Sequence, residues 1–404
     1  MKLSLCMIVK DEEKSLPQCL DSVKGVVDEI VVLDTGSSDR TPEIAQAFGA
    51  TVHYFEWCND FAAARNEALK YVTGDWVLIL DADETLDPAI VAPLRVAILN
   101  ENLLVVNLVR QEIGATQTPY SLTSRLFRNH PELKFSRPYH AIIDDSVMGL
   151  MEKEKHWEIL SLPGVAVLHS GYSASAIAAK DKFSRAQQAM ETYIKDHPDD
   201  SYACNKLGAL YVQMGQIDQG IELLERGLND YKADPLVCYE LNYHLANAYQ
   251  RKQNANKAVI HYQAALAQDI MPPLKLGAYN NLGALLQNAG EYEMAERAFG
   301  ATIAIDPTFV KGYFNVGAAL KAQGNYKDAI QAYEEAIKLQ PDYAEAYQNL
   351  GVVWIKCGQM QKGLEYISKA IALLENSNLL EAQRLRQMVQ DMGFELPKVK
   401  VNPT

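Results

Sequence analysis

The first 90 residues alternate short apolar runs with segments of helical periodicity. The apolar runs read LSLCMIV, EIVVLD, ATVHYF and WVLILDAD, and helical patterns around 13–25, 41–48 and 61–71 separate them. Continuous apolar strands that alternate with helices of about ten residues predict a mainly parallel sheet with helices on both faces. We therefore expect the chain to begin with an α/β domain of the Rossmann-like kind, whose binding crevice lies at the carboxyl ends of its strands.

Beyond Gly171 the strand-like runs end, and an Ala-rich helical pattern begins at about Ser175. Small residues then recur at separations of roughly 34–38 residues, at Gly208, Ala246, Gly283, Gly317 and Gly351. In each repeat a large residue follows in the next helix, at Leu224, Tyr262, Phe299, Tyr333 and Ile367. Small residues let two helices approach closely, and the large ones fill the space beside them.

This spacing resembles the tetratricopeptide repeat, and prolines lie near the position where that family ends its second helix. About five repeats exceed the roughly three that a stable helical stack requires. The resulting domain prediction is residues 1–174 for the α/β domain, 175–198 for a linking helix or half repeat, 199–375 for the repeats, and 376–404 for a capping helix and a loose tail.

The charge and cysteine content exclude several classes of protein. The net charge is −13, and residues 1–174 hold 25 acidic against 15 basic residues, which disfavours binding to nucleic acid. No run approaches the ~20 apolar residues that span a bilayer. Six scattered cysteines without a CxxC pair predict reduced thiols. We expect a cytoplasmic protein without a transmembrane segment, and association with the membrane surface stays open.

The apolar run WVLIL leads directly into Asp81-Ala82-Asp83. Strand alternation directs Asp81 and Asp83 to the same side, and two hard oxygen ligands in a crevice suit Mg²⁺ or Mn²⁺ carrying a diphosphate. Surface loops and helix caps also produce this short string often, so the neighbouring sequence has to decide.

Four neighbouring segments, SLCMIVKDEEKSLPQCLDSV, DEIVVLDTGSSDRTPEIAQAFGA, FEWCNDFAAARNEAL and TGDWVLILDADE, resemble family 2 glycosyltransferases with the GT-A fold. With the repeats included, the chain is similar over nearly its whole length to the bacterial members in which tetratricopeptide repeats follow this domain. The resemblance implies a nucleotide-sugar donor, with UDP-sugars the usual class, and an inverting reaction.

The resemblance also implies roles for single residues. Val9 and Lys10 would line the nucleobase, and Asp34 would hydrogen-bond the base or ribose, with an Asx-turn as its alternative explanation. Arg65 would lie beside the base and phosphates, unless it makes an ion pair on a helix face. The DxD segment completes the donor site: Asp81 would contact the ribose or lie behind the metal ion, Ala82 lies between the two carboxylates, and Asp83 would bind the metal.

A late segment, VAVLHSGY, resembles the family strand whose histidine completes the metal site, so His169 is the third candidate ligand beside Asp83 and Asp81. The catalytic base cannot be carried over from the relatives, because they have a Glu directly after a His where this chain has His140 followed by Ala141. The candidates are His140, Asp144 and Asp145, and the two aspartates equally suit a solvated turn.

Two functions compete at this stage. The first is sugar transfer from a nucleotide donor to a peptide, protein or glycan acceptor that the repeats present. The second is a catalytically weak or silent scaffold whose repeats bind partners, which the missing Glu favours slightly. Several polar groups that converge on one ion favour the transferase.

Overall fold

The structure is a computed structural model that describes residues 1–115, 119–170, 187–229 and 234–395. It divides into two compact units, Met1–Gln253 and Asn254–Thr404. The predicted domain boundary near Ser175 and the predicted loose end of the tail, residues 396–404, lie outside the described residues.

The first unit contains a mixed sheet of eight strands. The strands are β1 (Leu3–Val9), β2 (Glu29–Asp34), β3 (Thr51–Tyr54), β4 (Trp76–Ile79), β5 (Glu84–Leu86), β6 (Leu103–Glu112), β7 (Tyr120–Arg128) and β8 (Glu158–His169). Their order in the sheet is β3-β2-β1-β4-β7-β6-β8-β5. The pairs β3–β2, β2–β1, β1–β4 and β6–β8 are parallel, whereas β4–β7, β7–β6 and β8–β5 are antiparallel. The predicted parallel arrangement is therefore confirmed for the amino-terminal strands, and the later strands make the sheet mixed.

Helices cover both faces of this sheet, as the continuous apolar strands predict. One core contains Met7 of β1 with Leu20 and Leu94, and the other contains Cys6 of β1 with Ala64 and Val147. Successive β1 residues therefore enter different cores, because strand side chains alternate between the faces. The helices are α1 (Leu16–Ser22), α2 (Thr41–Ala47), α3 (Phe61–Leu69), α4 (Val91–Ala97) and α5 (Asp144–Lys153).

The first unit also contains the beginning of the repeat region. Residues 187–196 are helical (α6), and they are followed by α7 (Ser201–Gln213), α8 (Ile217–Gly227) and α9 (Pro235–Arg251). Asp200 caps α7, because its carboxylate accepts a hydrogen bond from the Ala203 amide at 2.9 Å.

The second unit is built from helices throughout its described part. From α11 onward each helix packs on the next one in the chain, which is the arrangement of stacked helical repeats. The helices are α10 (Ala255–Leu266), α11 (Leu276–Asn288), α12 (Tyr292–Ile305), α13 (Val310–Gln323), α14 (Tyr326–Leu339), α15 (Ala344–Lys356), α16 (Met360–Ser377) and α17 (Leu379–Asp391).

Close contacts between small and large residues join the two helices of a repeat. A Cβ atom on Gly283 would lie 2.6 Å from the Phe299 ring, and one on Gly317 would lie 2.9 Å from the Tyr333 ring. Gly208 and Gly351 meet Leu224 and Ile367 in the same way, at 2.7 Å each. The pairing of small and large positions that the sequence predicts is confirmed at these four hairpins.

Two further sequence expectations concern the membrane and the cysteines. Within the described ranges, no helix is long and apolar enough to cross a membrane. All six cysteines are reduced thiols, as the sequence predicts. Cys6, Cys19 and Cys204 are buried, whereas Cys58 and Cys357 are exposed rather than packed.

Candidate active site

The predicted donor-binding residues follow strands that are neighbours in the sheet. Val9 ends β1, Asp34 ends β2, and Asp81 follows β4, and these three strands lie side by side and parallel. The carboxyl ends of parallel strands share one edge of a sheet, so the fold brings these residues together at that edge.

Asp34 is almost fully buried at this edge. Its Oδ1 accepts hydrogen bonds from the amides of Gly36 at 2.9 Å and Ser37 at 3.0 Å, which is the Asx-turn that the sequence offers as an alternative. Its Oδ2 is buried without a hydrogen-bond partner in the described part of the chain. An unsatisfied buried oxygen is costly, and a hydroxyl or N–H group of a ligand would satisfy it.

Val9 ends β1 beside Asp34, and Lys10 follows it, so these two residues form the wall of the site next to Asp34. The carbonyl of Val9 accepts hydrogen bonds from the amide and the hydroxyl of Thr35, at 2.9 and 3.0 Å, and Lys10 is exposed. The carboxylate of Asp11 accepts a hydrogen bond from the Ser38 amide at 2.6 Å. These bonds connect the loops that follow β1 and β2.

Arg65 and Arg125 hold Asp81. Arg65 lies 2.8 Å from Oδ1 and Arg125 lies 2.7 Å from Oδ2, so both carboxylate oxygens are in ion pairs. Although burial opposes ionisation, the two guanidinium groups hold the pKa of Asp81 far below its usual range. The ion pair of Arg65 is therefore with the DxD segment, rather than with a neighbour on its own helix. Ala82 is buried between the two aspartates.

Glu84 is the centre of a charged network that the sequence reasoning missed. Its side chain is fully buried, and its carboxylate lies 3.1 Å from Arg110 and 2.5 Å from Arg125. It also accepts a hydrogen bond from the Asp81 amide at 2.9 Å. The signal that could have found this network is the presence of Arg110 and Arg125 inside the strands β6 and β7.

His169 lies between two carboxylates at the end of β8. Its Nε2 is 3.1 Å from Oδ2 of Asp83, and its Nδ1 is 2.5 Å from Oε2 of Glu112 on β6. The Ser170 amide donates a hydrogen bond to the Asp83 carbonyl at 3.1 Å, which holds the two chain segments together. Hydrogen bonds to Asp83 and Glu112 raise the pKa of His169 to about 9, so the imidazole carries a proton at neutral pH when no cation is bound.

Asp83 and His169 fit a divalent cation as a pair of ligands. A carboxylate oxygen and an imidazole nitrogen are suitable donors for Mn²⁺, and both side chains are partly exposed, at 35 % and 21 %. Asp81 differs, because both of its oxygens are already in ion pairs. Across the described residues, no group of three or more His, Cys, Asp or Glu side chains is arranged to hold a metal ion. The remaining ligands would have to come from the donor phosphates and water.

The three candidates for the catalytic base have different surroundings. Asp144 begins α5 and accepts a hydrogen bond at 2.8 Å from Ser124, the neighbour of Arg125 on β7, and burial raises its pKa. Asp145 is 52 % exposed and makes an ion pair with Arg137 at 2.6 Å. His140 is exposed and has a positive φ of 52°.

Comparison with known protein families finds two kinds of match along the chain. The model of glycosyl transferase family 2 matches residues 4–160. Three tetratricopeptide-repeat models match residues 178–237, 276–305 and 317–356. The first match covers the sheet and its helices as far as the first residues of β8, and the other three fall on the repeat region.

The similar proteins include one with tetratricopeptide repeats and one glycosyltransferase. A TPR repeat-containing protein of Synechococcus elongatus is 44 % identical over 395 residues, which are 98 % of each chain. The prophage-derived glycosyltransferase SunS of Bacillus subtilis is 29 % identical over 230 residues, covering 56 % of this chain and 53 % of SunS. Among solved structures, the TPR protein YrrB is 19 % identical with a TM-score of 0.43, and the match covers 50 % of this chain and 100 % of YrrB.

The family 2 model covers the strands whose ends carry Asp34, Asp81 and Asp83, and the Synechococcus relative extends over both parts of the chain. The chain is thus a glycosyltransferase, and it belongs to the family 2 glycosyltransferases that carry carboxyl-terminal tetratricopeptide repeats.

Proposed function

We propose that the chain transfers a sugar from a nucleotide-sugar, of the UDP class, to a peptide, protein or glycan acceptor in a metal-dependent, inverting reaction. The observation that carries this proposal is the convergence of Asp83 Oδ2 and His169 Nε2, 3.1 Å apart at the carboxyl end of the sheet. A carboxylate and an imidazole at this edge, beside a family 2 fold, suit a cation that carries a diphosphate.

Asp83 and His169 would hold Mn²⁺ or Mg²⁺, with Asp81 behind them. When bound, the cation would neutralise negative charge on the departing nucleoside diphosphate. Arg65 and Arg125 keep Asp81 ionised and immobile, and Asp81 accordingly acts in this proposal by positioning the DxD segment. This division of roles narrows the three predicted metal ligands to two direct ones.

Donor recognition would use the wall formed by the first two strands. The buried Oδ2 of Asp34 would accept a hydrogen bond from the ribose or the base, while its Oδ1 maintains the turn. Val9 and Lys10 would line the base, and Ala82 would let the donor approach the DxD backbone closely. The choice of uridine rests on the resemblance to the family.

Asp144 is the candidate base that its environment supports best. An inverting transfer needs a carboxylate that takes the proton from the acceptor hydroxyl as that oxygen attacks the anomeric carbon. Burial raises the pKa of Asp144, which makes it a stronger base than an exposed aspartate. Asp145 is already paired with Arg137, and His140 is exposed on a backbone with a positive φ.

The repeats would bind the acceptor or a partner protein. Stacked helical hairpins offer an extended concave surface, and attachment to the transferase domain raises the concentration of a bound acceptor near the site. The alternative, a weakly active scaffold, is supported by Ala141, which stands where relatives carry a Glu.

Calorimetry tests the proposal directly. UDP, GDP, dTDP and CDP are titrated with and without Mn²⁺ into the parent, Asp83→Ala and the control Asp21→Ala, which alters an exposed carboxylate on α1. We expect UDP to bind only with Mn²⁺, to the parent and the control, and to lose at least about tenfold in affinity in Asp83→Ala. Binding of none of the four nucleotides to the parent would leave the scaffold as the working function.

A further inference from the structure

The loop between β7 and α5 has a strained backbone. Arg137 and His140 have positive φ angles of 74° and 52°, a region that few residues other than glycine adopt. Such backbone conformations are unfavourable, so the contacts around the loop must compensate. Ser136 and Ile142 pair their backbones across the loop, at 2.8 and 3.2 Å, and this pairing closes it into a compact turn.

The side chain of Arg137 connects this loop to the first repeat. It is only 8 % exposed, and its guanidinium group lies 2.6 Å from Asp145 on α5 and 2.8 Å from Asp200, the residue that caps α7. The guanidinium also lies over the ring of Tyr202, 5.0 Å from its centre. A bidentate, planar group such as this fixes direction as well as distance.

Two other elements contact the same loop. The hydroxyl of Tyr202 on α7 donates a hydrogen bond to the His140 carbonyl at 3.4 Å. On the side of the α/β domain, the Phe61 amide at the start of α3 donates to the Pro138 carbonyl at 2.9 Å. The loop therefore contacts α3 of the α/β domain on one side and α7, the first helix of the repeats, on the other.

The first repeat is also close to the candidate base. Burial raises the pKa of Asp144 most, and the charges of Asp145 and of Asp234, the cap of α9, raise it further. Burial raises the pKa of Tyr202 on α7, and the charge of Asp144 raises it further. Asp234, which caps α9, and Tyr202 on α7 thus lie within electrostatic range of the residue that we assign as the base.

We infer that Arg137 is a positioning residue, and that it makes the first repeat an integral part of the acceptor side of the active site. By binding Asp145 and Asp200 together, it holds the loop 136–143 and the amino end of α5, where Asp144 lies, against α7. This inference rests on the proposed function for the role of Asp144. It goes beyond that function by assigning the first repeat to the catalytic unit, with acceptor capture left to the later repeats.

The experiment uses the full chain with three variants. Asp200→Ser removes the ion pair but keeps a residue that caps a helix well. Arg137→Lys keeps the charge and loses the planar fork. The control is Asp218→Asn, which breaks the surface pair of Asp218 with Lys252 on α8 and α9 of the same unit.

Three measurements are made on each variant: hydrogen exchange over residues 130–150, UDP affinity with Mn²⁺, and release of UDP from UDP-glucose and UDP-N-acetylglucosamine with water as the acceptor. We expect Asp200→Ser to exchange at least about tenfold faster in the loop and to lower kcat at least about tenfold, with UDP affinity and the donor KM unchanged. The loop exchange rate and the kcat of Arg137→Lys should lie between those of Asp200→Ser and the parent. Asp218→Asn should match the parent in both quantities.

The outcomes separate the two proposals. The parent could bind UDP and release UDP from the sugar donors while Asp200→Ser matches the parent in both loop exchange and kcat. In that case the role assigned to Arg137 is wrong and the proposed function stands. Faster exchange in the loop with an unchanged kcat would reduce Arg137 to a structural contact. A parent that neither binds UDP nor releases UDP from the sugar donors would overturn the proposed function. The assignment of the first repeat to an active site would fall with it.

Discussion

The carboxylate of Glu112 lies 2.5 Å from Nδ1 of His169 and leaves Nε2 of the same ring facing Asp83. The two residues are register partners on the neighbouring strands β6 and β8, so the backbone pairing sets this contact. A carboxylate at Nδ1 selects the tautomer whose Nε2 can bind a cation and orients the ring. Arg110, 2.8 Å from the other oxygen of Glu112, holds the carboxylate in turn.

Replacement of Glu112 should therefore weaken cation binding without touching a direct ligand. We expect Glu112→Ala to lower the Mn²⁺-dependent affinity for UDP by about 10- to 100-fold in calorimetry, because the His169 ring loses its orientation. Glu158→Ala alters an exposed carboxylate at the other end of β8 and serves as the control. Equal affinities in the two variants would show that Glu112 does not orient the ring.

Removal of the Glu84 charge should destabilise the first unit strongly. Glu84→Gln leaves two partly buried arginines, Arg110 and Arg125, without their shared carboxylate, and breaking a buried pair costs about 3–5 kcal/mol. Urea unfolding followed by circular dichroism measures the loss. Glu132→Gln, which breaks an exposed pair with Lys153, should unfold close to the parent. If Glu84→Gln unfolds at the same urea concentration as Glu132→Gln, the prediction is wrong.

The second unit offers a matched pair of glycines. A Cβ atom on Gly283 would lie 2.6 Å from the Phe299 ring, whereas a Cβ atom on Gly300 of α12 would meet nothing within 4 Å. We expect Gly283→Ala to lower the free energy of unfolding by about 1–3 kcal/mol through overpacking. Gly300→Ala should be neutral or raise it by up to about 1 kcal/mol, because alanine favours helix. Thermal unfolding of both variants tests this, and a Gly283→Ala variant as stable as Gly300→Ala would refute the close approach.

The role of Asp144 makes a prediction about pH. A base must be ionised, and burial raises the pKa of this carboxyl, so UDP release should fall as the pH drops through a pKa above that of an ordinary aspartate. Asp144→Asn should lower kcat by about 100- to 10,000-fold. The rate is measured as UDP release across a pH series, with UDP affinity as the check on folding. Unimpaired turnover in Asp144→Asn would move the base to another residue.

The sequence by itself determined the features that depend on neighbours along the chain. Apolar periodicity predicted β1, β2 and β4 and placed Asp34 and Asp81 at their ends, because strand length and alternation are local properties. The repeat pattern predicted the contact of Gly283 with Phe299 for the same reason, since the two helices of a hairpin are adjacent in sequence.

Only the tertiary structure decided which distant charges meet. Glu84 joins Arg110 and Arg125 because β5, β6 and β7 enter the sheet in a mixed order that apolar periodicity does not encode. The contact of Arg137 with Asp200 likewise links residues of the α/β domain and the repeats. Such pairs form where packing has already brought two segments together, so their partners can be read from the fold but not from spacing along the chain.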